Sequence, residues 1–269
     1  MKPVTRPAVL VFGGHDPSGG AGIQADIETI GVLGGHAATV ITALTIQDSR
    51  SVSGFLPAPL DIVIQQARMV LDDLSIAAIK IGMVGSIEIC EAIHTLLTEH
   101  PEIPVVLDPV IYGGGGGTLS SGELVQAIRT LLIPRTTIAT PNRRELQQLA
   151  QEGDSIQACG AELISLGCDN LLITGTDDPL PGESPDQVHH LLLTADGEST
   201  SLQQQRLDHH YHGSGCTLSS SIAVNLAVGK SVRQAVTEGL DFTWEALSNG
   251  FQPGRGQYFP GRLSHQKLQ

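Results

Sequence analysis

Short apolar runs rich in Val, Ile, Leu and Thr alternate along the chain with segments whose apolar residues recur at helical spacing, the pattern of strand–helix–strand units that build a parallel sheet. The first run, 8–12, passes through a glycine-rich stretch into 23–33, where Ile23, Ile27, Ile30 and Leu33 share one helical face. A second run at 38–46 precedes a helix over 60–74, with Ile64, Ala67, Leu71 and Leu74 apolar. Further strands are predicted at 77–81, 105–107, 137–140 and 171–174, and helices at 86–99, 121–132, 142–150 and 155–166. After Thr174 the chain turns polar and rich in Pro and Gly, the composition of a surface loop. A hairpin follows, 188–194 and 199–205, turned by Ala195-Asp196-Gly197-Glu198. Two long helices, 216–228 and 232–248, precede a Gly/Pro-rich tail expected to be irregular.

No internal repeat or linker interrupts this order, so the 269 residues are expected to form one α/β domain with a mostly parallel sheet. The formal net charge of −13 repels nucleic acid and anionic membranes, but leaves phosphorylated small ligands allowed, because helix N-termini bind phosphate without net positive charge. Cys90, Cys159, Cys168 and Cys216 are widely separated and form no C-x-x-C pair, which suggests reduced thiols in a cytoplasm rather than zinc or disulfides. The opening apolar run is too short for a signal sequence, and no stretch approaches the ~18 apolar residues of a membrane span, so a soluble protein is expected.

The segments with chemistry fall after strands, where open parallel sheets bind ligands. Gly13-Gly14-His15-Asp16-Pro17-Ser18-Gly19-Gly20-Ala21-Gly22 joins a strand to a helix and permits close backbone approach to a ligand, though it reads equally as a plain glycine-rich connection. It matches neither the P-loop nor the dinucleotide spacing. His212-Gly213-Ser214-Gly215-Cys216-Thr217 opens the penultimate helix, where backbone amides make an anion-binding concavity and the same field should lower the Cys216 pKa. The competing reading is a glycine-rich cap with Cys216 as a small hydrophobe; a serine-hydrolase elbow does not fit the spacing.

Asp108 closes a strand, and Asn142 and Glu145 follow another, positions from which carboxylates hold Mg²⁺ directly or through water. Glu145 serves equally as a helix-start charge. His189, His190, His209, His210 and His212 are not read as a metal site, since adjacent strand residues point to opposite faces and no acidic or Cys ligand has the spacing. The five glycines 113–117 suggest a mobile loop or a flap closed by ligand, with a plain linker as the alternative.

Taken in order, GGHDPSGGAGIQAD (13–26), VITALTIQDSR (40–50), IKIGMVGS (79–86), VVLDPV (105–110), TPNRREL (140–146) and HGSGCTLSSSIA (212–223) resemble the hydroxymethylpyrimidine/phosphomethylpyrimidine kinases of thiamine biosynthesis, members of the ribokinase-like superfamily. The resemblance implies a three-layer α/β/α fold and a cytoplasmic homodimer. It implies ATP- and Mg²⁺-dependent phosphorylation of 4-amino-5-hydroxymethyl-2-methylpyrimidine and then of its monophosphate. By that likeness Gln47 bonds the aminopyrimidine, with Asp26, Gly14, Ala21, Thr45, Met83 and Val110 shaping its pocket. Gly213, Ser214, Gly215 and Cys216 form the anion hole, Asp108 and Glu145 serve Mg²⁺, and Asn142 and Thr174 face ATP. Cys216 stands where sugar-kinase relatives carry an Asp base, so a stabilised thiolate is one candidate proton acceptor. Two departures are visible: Thr174-Gly175-Thr176-Asp177 replaces the Lys-Gly-Gly-His of many relatives, so a phosphate-facing cation is missing, for which nearby histidines such as His212 are candidate substitutes, and the glycine run 113–117 is unusual. A pyridoxal/pyridoxine kinase and a non-catalytic pyrimidine-binding protein are the competing expectations.

Overall fold

The computed structural model describes residues 6–113, 117, 119–176, 179 and 182–265. Among the described residues nine strands form one sheet: β1 (Ala8–His15), β2 (His36–Gln47), β3 (Val52–Pro57), β4 (Ile76–Ile81), β5 (Val105–Leu107), β6 (Ile138–Ala139), β7 (Asn170–Ile173), β8 (Gln187–Thr194) and β9 (Ser199–Gln205). Their order is β3-β2-β1-β4-β5-β6-β7-β8-β9. The interior pairs from β2 to β7 are parallel, and the two margins, β2/β3 and β7/β8/β9, are antiparallel.

Eight α-helices cover the sheet: α1 (Gly22–Val32), α2 (Leu60–Asp73), α3 (Ile87–Glu99), α4 (Gly122–Ala127), α5 (Arg143–Leu149), α6 (Ile156–Ser165), α7 (Ser214–Ala227) and α8 (Val232–Ser248). Two-residue alternation divides the strands between two cores. Leu10, Phe12, Ile79, Ile81 and Leu107 pack with Val63, Ile89, Ile93, Leu124, Leu146 and Leu163 of α2 to α6. Val9, Val11, Ala78, Val106 and Leu172 face the other way, onto Ile23 and Ile30 of α1, Leu218 and Ile222 of α7, and Val236 and Leu240 of α8. The result is a three-layer α/β/α arrangement.

Three local readings change. The expected helix 121–132 is α-helical only to Ala127, continues as a π-turn over Ile128–Leu132, and tightens to a 3₁₀ turn at Ile133–Arg135, where Pro134 cannot extend an α-helix. Strand β3 was not anticipated, because VSGFLP contains Gly54 and Pro57 and lacks an apolar run; it forms because β2 offers it an edge, pairing Leu44 with Leu56 and Thr45 with Phe55. The tail is more ordered than expected: Tyr258 bridges Tyr211 and Phe259 bridges Phe251. Of the glycine run only Gly113 and Gly117 lie within the described residues, and Asp177 lies outside them.

Since β1 is flanked by β2 on one side and β4 on the other, chain connections diverge at its carboxyl end, the usual position for a ligand crevice. The glycine-rich loop 16–21 leaves the sheet there.

Candidate active site

The loop after β1 is organised by Asp16. Its carboxylate accepts from the Ser18 amide (2.8 Å), the Ser18 hydroxyl (2.7 Å), the Ala21 amide (2.8 Å) and His212 Nε2 (2.9 Å). Burial alone would raise the Asp16 pKa, but these bonds, that from His212 foremost, hold it below the usual carboxylate value. The loop then enters α1 at Gly22, whose φ is +59° and where a Cβ would lie 2.2 Å from the Gly14 carbonyl oxygen, so only glycine fits.

Helix α7 starts beside it. Gly213 caps the helix with φ +89°, and the Gly20 carbonyl oxygen occupies the place of its missing Cβ at 1.9 Å. The first intrahelical amide bond runs from Thr217 to the Gly213 carbonyl (3.0 Å), so the amides of Ser214, Gly215 and Cys216 precede it and are left for an anion. The Gly22 amide points at the Cys216 sulfur, which joins the N-termini of α1 and α7. Asp108, at the end of β5, completes this corner: a Cβ on Gly215 would sit 3.6 Å from its Oδ2, and the Ser219 hydroxyl donates to the same oxygen at 3.4 Å.

An apolar wall lies against the end of β1. Met83 packs with Ala43, Leu119 and Val110, and its sulfur would stand 3.0 Å from a Cβ on Gly14. Gln47 Nε2 donates to Thr45 Oγ1 (2.7 Å), which donates to the His15 carbonyl (2.8 Å), so the half-buried Gln47 is oriented from the end of β1.

Beneath the site, Lys80 of β4 is 1 % exposed and its Nζ lies 2.9 Å from Asp26 Oδ1, which also accepts from Ser220 at 2.6 Å. Burial alone would lower the lysine pKa, but Asp26, then Cys216 and Asp108, push it up, so it is charged. Asp108 is shifted upward, by burial first and by Asp26, against the pull of Lys80.

The model described as phosphomethylpyrimidine kinase matches residues 16–260. The chain belongs to that family. It is 39 % identical over 259 residues to the hydroxymethylpyrimidine/phosphomethylpyrimidine kinase of Streptomyces coelicolor, covering 94 % of this chain and 93 % of that one. The phosphomethylpyrimidine kinase structure from Clostridium difficile shares 31 % identity with a TM-score of 0.76, covering 90 % of this chain and 100 % of that one. The ADP complex of Bacillus subtilis pyridoxal kinase shares 26 % identity with a TM-score of 0.86, covering 97 % and 99 %. This phosphomethylpyrimidine kinase family member is thus a phosphotransferase with the ribokinase-like fold, and ATP is the donor expected of its family.

Within this kinase some anticipated roles shift. The expected lowering of the Cys216 pKa is reversed: burial and the neighbouring Asp108 and Asp26 outweigh Lys80 and the Gly22 amide and push the thiol up to about 12. A thiol at that value is protonated at neutral pH and is no ready base. Asp26 is fully buried and bonded to Lys80 and Ser220, so it shapes the site from below rather than as an open pocket wall. Glu145 forms a capping box with Asn142: its amide donates to Asn142 Oδ1 (2.8 Å), its Oε2 accepts from the Asn142 amide (3.0 Å), and its Oε1 accepts from the Ile111 amide (3.3 Å). Thr174 is buried, bridged to Asn142, and brings no cation. His212 is occupied by Asp16 and does not replace the missing lysine. Lys80 and Asp16 were not singled out by sequence; a lysine inside the apolar strand IAAIKI was the readable signal for the first.

Proposed function

We propose that this kinase transfers the γ-phosphoryl of ATP to the hydroxymethyl group of 4-amino-5-hydroxymethyl-2-methylpyrimidine, and then phosphorylates the monophosphate, within thiamine biosynthesis. The observation that carries the reading is the junction of the two glycine loops, where the Asp16–His212 bond ties the end of β1, at which Gly14 meets Met83, to the residue before the 213–216 turn. Gln47, with its Nε2 engaged by Thr45, keeps Oε1 as an acceptor for the exocyclic amine, and Met83, Val110, Gly14 and Ala21 form the apolar and backbone surface for the ring. The amides of Gly213, Ser214, Gly215 and Cys216 hold the transferring phosphoryl, preorganised donors in the place where charge develops. Cys216 enters through its backbone N–H rather than as a thiolate.

Asp108, against Gly215, suits Mg²⁺, which asks few carboxylates of a protein because water and phosphates fill its octahedron. Asp108 would hold that ion, with Glu145 as the second acidic position the family resemblance implies, and the ion would supply charge neutralisation to the phosphates. Asn142 and Thr174 line the approach to ATP from β6 and β7. We infer that the chain acts as one ribokinase-like domain, as the uninterrupted nine-stranded sheet supports. A cytoplasmic location is consistent with four free cysteines and with the lack, among described residues, of any helix long and apolar enough to cross a membrane. A homodimer is favoured by exposed Leu44, Ile46 and Leu56 along the β2/β3 margin, and sedimentation tests it.

Incubation with the pyrimidine alcohol, ATP and Mg²⁺, followed by mass analysis, should yield monophosphate and then diphosphate. Pyridoxal is the competing alcohol, favoured by the higher TM-score of the Bacillus subtilis pyridoxal kinase. A larger kcat/KM on pyridoxal than on the pyrimidine would overturn the substrate, and binding without ADP formation would overturn catalysis.

A further inference from the structure

The carboxyl-terminal segment runs across the site rather than away from it. The amides of Gly256 and Gln257 donate to the Ser49 hydroxyl (3.1 Å) and carbonyl (2.8 Å), just beyond Gln47. Tyr258 then pairs with the strand leading to the anion hole, its amide donating to the His210 carbonyl (2.9 Å) and its carbonyl accepting from the His212 amide (2.9 Å). Four residues later, Arg262 turns inward and is 2 % exposed.

Its guanidinium meets three acceptors on three different elements. Nη1 donates to Glu28 Oε2 of α1 (3.0 Å), Nε to Thr217 Oγ1 of α7 (2.9 Å), and Nη2 to the Gly20 carbonyl of the first glycine loop. Thr217 Oγ1 in turn donates to the Gly213 carbonyl at 2.8 Å, and a Cβ on Gly213 would lie 2.8 Å from Arg262 Nη2. The guanidinium therefore sits where the two loops cross. Only a planar fork with several fixed donors spans these acceptors; a lysine ammonium is a single point of charge on a flexible stem. Arg262 lies beyond the matched segment 16–260.

We propose that Arg262 is a positioning residue for phosphoryl transfer: it fixes the start of α7 against the first glycine loop, so that the 213–216 amides face the pyrimidine alcohol in register. The proposal rests on those amides being the phosphoryl cradle. A small misplacement of a cradle costs turnover far more than it costs binding of an alcohol held by Gln47 and Met83.

The test is Arg262→Lys, which keeps charge and bulk. The expected result is a fall of about 10- to 100-fold in kcat with the Kd for the pyrimidine alcohol unchanged, although the unfolding temperature falls as buried acceptors lose their donor. Arg262→Ala should recover part of its kcat on addition of guanidinium ion and none on addition of urea. Wild-type kcat in Arg262→Lys, or a loss of kcat matched by loss of pyrimidine affinity, overturns the proposal. Should Arg262→Lys fail to fold, Thr217→Val removes the Nε acceptor together with that hydroxyl's own bond to the Gly213 carbonyl, and must still lower kcat at unchanged pyrimidine Kd; if it does not, the proposal falls. If the wild-type enzyme turns over another alcohol or none, the substrate reading fails separately. The placement is then read by amide hydrogen exchange with AMP-PCP bound, which must quicken at 213–217 in Arg262→Lys, and an unchanged rate overturns it.

Discussion

His212 Nε2 and Asp16 Oδ2 lie 2.9 Å apart although 196 positions separate the two residues, and both are buried. Their contact joins the loop after the first strand to the residue preceding the glycine-rich start of α7. It ties two glycine-rich segments together.

Breaking that contact should loosen both loops. His212→Phe keeps the ring beside Phe259 but removes the donor, leaving Asp16 with one buried bond fewer. We expect kcat/KM to fall about 10- to 100-fold with a destabilisation of about 1–3 kcal/mol, read by steady-state kinetics and urea unfolding.

Lys80 is a buried cation that draws on Asp26, Asp108 and Cys216 together. Lys80→Met leaves Asp26 buried without its counter-ion, and such a loss costs about 3–5 kcal/mol. Urea unfolding should show that decrease at neutral pH, and Lys80→Met combined with Asp26→Leu should regain part of it. A single variant as stable as wild type would refute the charge-balancing role.

Cys216, with its pKa raised to about 12, should stay protonated through the working pH range. Cys216→Ala should then leave the shape of the pH–rate profile between about pH 6 and 9 unaltered, the thiol's ordinary pKa lying near its upper end. Iodoacetamide labelling of the free enzyme should be slow near neutrality and accelerate only in strong alkali. An inflection near neutrality that vanishes in Cys216→Ala would restore the thiolate as base.

Glu162 carries a pH-dependent share of stability. Burial alone would raise its pKa, but the amides of Gln151, Glu152 and Gly153 and the guanidinium of Arg129 hold it down to about 2. Because the folded value lies below the unfolded 4.5, the stabilisation is fully present above that value and is lost as pH falls towards about 2. Glu162→Gln should therefore unfold more easily by about 1–3 kcal/mol at neutral pH. The gap to wild type should narrow below about pH 4, where the wild-type carboxyl loses its advantage.

Much of this kinase was legible along the chain. The alternation of apolar runs with helical periods placed eight of the nine strands and the eight main helices, because backbone periodicity and burial act locally. Gly213 and the glycine-rich start of α7 were visible for the same reason, since a helix start is a local event. Other features depend on who lies next to whom. Strand β3 exists because β2 offers an edge, and the lowered Cys216 pKa expected from a helix N-terminus was reversed by burial beside two carboxylates from distant segments. The cap formed by Glu145 and Asn142 was readable as a helix start, whereas the bond from Ile111 to Glu145 was not. Lys80 and Asp26, Asp16 and His212, and Arg262 with Gly20 and Thr217 are partners that only chain folding assembles. Local pattern decides which elements form; desolvation and long-range pairing decide the charge states and alignment of the site, and those are properties of the packed interior.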